Sequence, residues 1–97
     1  MDSQQVVQAI EQVRHPEINN TLVELGMVQG VEVDQDRVSL RLMLPILGIP
    51  AVVRDTMIQS LQQAASAQGA SLEVSLGEMT PAERQRFFAL EQQNWMA

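Results

Sequence analysis

His15 is the only histidine in this 97-residue chain, and Glu17 follows two residues later. An imidazole and a carboxylate at that spacing can exchange a proton as an acid–base pair. They can also supply two ligands to a metal, but such a site needs further ligands. Two copies of the chain sharing one site would provide two His and two carboxylates. Pro16 lies between the two residues, so the plainer reading makes both of them solvated turn residues. Asp34 and Asp36 could hold a hard cation weakly, yet Asp is favoured in turns on its own account. Their surroundings lack the ligand spacing and glycine of a calcium loop. Arg41 could take an acidic group, or it could pair with Glu32 across a hairpin.

Other reaction classes find little support. No spacing around a single His marks a nucleophile triad. Gly26, Gly30 and Gly48 are scattered, and no Gly-Lys-Ser/Thr follows them, so no phosphate loop is present. The chain has no Cys, which removes thiolate zinc sites, Cys nucleophiles and the usual cluster ligands. Twelve acidic residues face six Arg and no Lys, for a net charge of −6. Nucleic acid and anionic membranes are poor partners for such a chain. No apolar run approaches the ~20 residues that span a bilayer, and the polar, acidic start is unlike a signal peptide. A cytoplasmic protein is expected.

The stretch Leu44-Pro45-Ile46-Leu47-Gly48-Ile49-Pro50 joins an alternating apolar run to a helical one. It opens onto a helix N-terminus, where unpaired N–H groups often build a site. Its own side chains are apolar and carry no ionisable group. A short loop bracketed by prolines cannot easily fold Ile46, Leu47 and Ile49 inward together. An exposed or half-exposed apolar patch is therefore expected there, used for association with a partner or a second copy. The opposing reading is that these residues complete a core short of aromatics, which make up 3% of the chain.

The elements around this loop follow from periodicity. Val6, Val7, Ala9, Ile10 and Val13 predict a helix over about 4–13, capped by Asp2 or Ser3 and ended by Pro16. A turn through Leu25 precedes a strand over 28–34, with Val31 and Val33 on one face. A hairpin turn at Asp34-Gln35-Asp36 leads to the clearest strand, where Val38, Leu40, Leu42 and Leu44 point one way. Pro50 suits the first position of a helix over about 50–67, with Gly69 capping its end. Its apolar stripe is Val53, Met57, Leu61, Ala64 and Ala65. Leu72, Val74 and Leu76 predict a third strand. Thr80-Pro81-Ala82-Glu83 reads as a capping box opening a last helix, with Phe87, Phe88, Leu90 and Trp95 either packing on the domain or docking a partner. The fold class is α+β: a two-layer sandwich of order α-β-β-α-β plus a C-terminal helix, with a three-stranded mixed sheet. Residues 1–78 form the domain and 79–97 the appended helix.

These segments in this order resemble the iron–sulfur cluster assembly domain family, which includes SufT-type and PaaD-type proteins and the N-terminal domain of Mrp-type ATPases. The resemblance rests on Val13-Arg14-His15-Pro16-Glu17, on Leu22-Val23-Glu24-Leu25-Gly26-Met27-Val28, on Val38–Leu42, and on Gly48-Ile49-Pro50 opening a helix. It covers about residues 4–77. The family pattern places an acidic residue before Pro-Glu, where this chain has His15. It places a reactive Cys before the second Pro, where this chain has Ile49, and a Thr-rich approach where this chain has Leu44–Leu47.

The resemblance therefore implies the fold without thiol or cluster chemistry at this loop. It implies a non-catalytic adaptor of iron–sulfur protein maturation, with no cofactor of its own. The expected partner is an assembly factor, an Mrp-type ATPase or a client protein, and a homodimer is an alternative. The expected contact residues are Ile46, Leu47, Ile49 and Arg54. Two further readings stay open: a metal or cluster site shared through His15 and Glu17, and a small-molecule or regulatory domain reusing the fold.

Overall fold

The structure is a computed structural model and describes residues 2–96. The first helix, α1, spans Ser3–Glu11, with the Asp2 carboxylate accepting from Gln4 N–H at 2.9 Å. It buries Val6 and Ile10. α1 stops two residues short of the expected end, and Pro16 is not the cause. The chain leaves the helix to pair with the segment ahead: Leu22 N donates to Val13 O at 2.9 Å and His15 N to Asn20 O at 3.0 Å. Those bonds satisfy groups that a longer helix would have used.

The turn through Leu22–Gly26 is closed by a second reciprocal cap. Thr21 N donates to the Glu24 carboxylate, and Glu24 N donates to the Thr21 hydroxyl. Gly26 follows at φ +75°, a left-handed geometry that glycine adopts freely. Strand β1 then runs Val28–Asp34 and β2 runs Arg37–Leu44, antiparallel to it. The register shifts between Gln29 and Glu32, where β1 carries an extra residue and Gly30 sits at φ +64°. This bulge keeps Val31 and Val33 packed against the core. It also changes the expected role of Arg41. That residue faces Gln29 and lies over Gly30, while Glu32 faces Ser39. Among the described residues Arg41 and Glu32 form no ion pair; the one ion pair there is Arg54–Asp55.

β2 buries Val38, Leu40, Leu42 and Leu44 on one face, as its alternation predicts. After the Pro45–Pro50 loop, helix α2 spans Ala51–Ser66 and buries Met57, Leu61 and Ala65. Pro50 is the N-cap residue, one position before the first helical one, because its ψ of 134° is extended. Gly69 N donates to Ser66 O and Ala70 N to Ala65 O, the paired bonds of a Schellman end with Gly69 at φ +80°. Strand β3, Ser71–Glu78, lies parallel to β2 and completes a sheet of order β1-β2-β3. Helix α3, Pro81–Asn94, opens on the expected capping box between Thr80 and Glu83 and buries Phe87. The result is an α+β fold with a three-stranded mixed sheet, packed on the face that carries Leu40 and Leu42.

Candidate functional site

Three segments far apart in sequence meet at one cleft of about 350 Å³. The turn after α1 supplies His15 and Glu17. The loop after β2 supplies Pro45, Ile46, Ile49 and Pro50. Helix α3 and its end supply Phe87, Phe88, Glu91 and Trp95. Their meeting depends on bonds that tie α3 to both of the other segments. Arg84 Nε donates to Pro45 O at 2.8 Å, and its other arm donates to Met79 O at 3.2 Å. At the far end of α3, Asn19 N donates to Asn94 O at 2.8 Å and Met96 N to Glu17 O at 3.0 Å. The Asn94 side chain adds a bond to Asn20 at 2.7 Å.

His15 is not a solvated residue. It is 6% exposed and packs edge-on against Phe87 at 6.5 Å. Its Nδ1 accepts from Glu17 N at 3.0 Å and from Ile18 N at 3.2 Å. The imidazole thus does what a short carboxylate or amide does in a tight turn, satisfying N–H groups two and three residues ahead. With Nδ1 accepting, the ring proton belongs on Nε2, which is the ring nitrogen not engaged by the backbone. Burial lowers the pKa below the ordinary histidine value; the Glu17 carboxylate opposes that shift without overcoming it. The ring is therefore neutral near pH 7. Glu17 itself is exposed.

The expected contact residues divide. Ile46 and Leu47 are 49% and 61% exposed. Ile49 is half-buried and packs on the core while lining the cleft. Arg54 lies in the first turn of α2, bound to Asp55 and outside the cleft lining. Gly48 has open space where a side chain would begin and carries no positive φ, so nothing in the backbone demands glycine there. Phe88 and Trp95, 42% and 45% exposed, complete the apolar rim. Trp95 lies beyond the last helical residue, where it bridges to Ile18. Glu91 joined the site unseen in the sequence, since its polar type at a helical position marks only a solvated face. No group of three or more His, Cys, Asp or Glu is placed to hold a metal ion among the described residues.

Residues 3–76 match the family described as iron–sulfur cluster assembly protein, and the chain belongs to that family. Among solved structures it is similar to the crystal structure of a domain of unknown function, DUF59, from Bacillus anthracis. That similarity has a TM-score of 0.62 at 19% identity and covers 90% of this chain and 89% of that one. At such identity it shows the shared fold. No curated protein matches the chain significantly.

Proposed function

We propose that the chain is a non-catalytic accessory or adaptor of iron–sulfur protein maturation that acts by docking a protein partner. The observation carrying this reading is the chemistry at the family site. Ile49 stands where the resemblance places a reactive Cys, and the surrounding cleft is lined by Ile46, Pro45, Pro50, Phe88 and Trp95. The cleft offers no thiolate for a cluster, and apart from His15, Glu17 and Glu91 its lining is apolar. It suits the burial of another protein's surface, and the exposed Ile46 and Leu47 extend the same apolar area.

The partner is an assembly factor, an Mrp-type ATPase or a client enzyme, met in the cytoplasm. No helix among the described residues is long and apolar enough to cross a membrane. An affinity pull-down from the protein's own host tests the proposal. Cluster-assembly proteins or client enzymes should be retained; their complete absence contradicts it. A second reading draws on the free Nε2 of His15 beside Glu17, which two protomers could offer to one metal. Zinc titration decides it: an unchanged melting temperature and oligomeric state removes the shared site.

A further inference from the structure

The cleft carries its own statement about what enters it, and this inference rests on the docking role proposed above. We infer that the cleft receives a peptide segment of the partner in which a bulky apolar residue lies next to Lys or Arg, and that His15 Nε2–H donates to a backbone carbonyl of that segment. A volume of about 350 Å³ is small among ligand sites, which run from about 300 to 1,000 Å³. It suits a side chain or two better than an extended cofactor. The walls that would hold that side chain are Ile46, Ile49, Val53, Phe88 and Trp95.

The polar groups narrow the ligand further. Among the described residues, the ionisable ones lining the cleft are His15, Glu17 and Glu91. The imidazole is held neutral by its buried turn, so both lining charges are negative. Arg84, the cation bonded to the loop, is already committed to the carbonyls of Pro45 and Met79. An anionic ligand would meet two carboxylates and no cationic side chain in the described lining, whereas a cationic neighbour to the apolar anchor would meet the carboxylates favourably. His15 is more than nine-tenths buried, and its Nδ1 is fixed by two backbone N–H groups. Nε2–H is thus a pre-oriented donor in an apolar wall, and a neutral carbonyl is its fitting acceptor. A peptide offers the carbonyl, the apolar anchor and the cation on one short chain.

The test uses the full chain and three capped heptapeptides: a Leu or Phe centre flanked by Arg, the same centre flanked by Glu, and a Ser centre flanked by Arg. Binding is followed by backbone and imidazole NMR shifts and by Trp95 fluorescence. The Arg-flanked apolar peptide should shift His15, Ile46, Phe88 and Trp95. Each of the other two should bind at least about tenfold more weakly, a difference of about 1.4 kcal/mol. Doubling as a control of mechanism, the variant E17K/E91K should reverse the preference toward Glu flanks, with its melting temperature unchanged. Equal binding of all three peptides, no shift with any of them, or an unreversed preference overturns the inference. If host partners are still captured by wild-type protein and by E17K/E91K in any of those cases, the adaptor role survives and the cleft is not its contact.

Discussion

His15 replaces a side chain's usual capping oxygen with an imidazole nitrogen, and the consequences are measurable. Ile18 is fully buried, so its N–H depends on Nδ1 for a partner. His15→Ala would strand that buried donor and remove the bond from Glu17 N as well, costing about 1–3 kcal/mol. His15→Asn can present an amide oxygen to the same N–H groups and should cost clearly less. Urea unfolding of the two variants checks the order. The pH dependence has a definite sign. Above the unfolded-state value of about 6.5 the imidazole is neutral in both states and its contribution is fully present. As pH falls through that value, the unfolded chain takes up a proton that burial makes the folded chain resist. Stability therefore declines until pH drops below the lowered folded pKa. Wild-type protein should lose stability between pH 7.5 and 5.5, and His15→Asn should lose measurably less. Glu24 and Glu83 are also held below the usual carboxylate range, first by hydrogen bonds from the backbone N–H of Thr21 and Thr80. Their contributions are present above the ordinary value of about 4.3 and are lost only as pH falls below it, so the two windows separate.

Helix α3 determines whether the cleft exists. It reaches the core through Phe87, which is 3% exposed, and begins at a complete capping box. Thr80→Ala should destabilise the protein by about 1 kcal/mol. Phe87→Ala should cost about 3–5 kcal/mol and loosen the wall formed by Phe88 and Trp95. A rise in hydrogen exchange along 81–94 that exceeds the rise in the sheet would show that α3 comes away first. At the hairpin, Gln35 holds φ 58° in a two-residue loop. That geometry is costly for a side-chain-bearing residue, and Gly adopts it freely. Gln35→Gly should raise the urea midpoint. Elements like these were legible in sequence because their signals are local. The alternation of Val38 to Leu44, the Thr80 box and the Gly69 stop each sit within one element. The end of α1 was not legible, because pairing between Val13 and Leu22 decides it. Nor was the second cap at Thr21 and Glu24 read, although its spacing is that of the Thr80 box.

At the scale of the molecule, the chain keeps the frame of its family. The order of elements, the mixed sheet and the family were all readable from segments in sequence order. The burial of His15 was not, because residues 15–17, 45–53 and 87–95 come together through contacts distant in sequence, among them Arg84–Pro45, Asn19–Asn94, Met96–Glu17 and His15–Phe87. The same distance in sequence hid Glu91 and gave Phe88 and Trp95 their place at the rim. The exposed loop, by contrast, followed from two prolines and a short span. We propose that Leu47 and its neighbours serve association rather than the core. Leu47→Asp tests it directly, by thermal melting alongside capture of host partners. A melting temperature close to wild type is expected together with loss of the captured proteins. An unfolded or strongly destabilised Leu47→Asp protein, or one that still captures its partners undiminished, would contradict it.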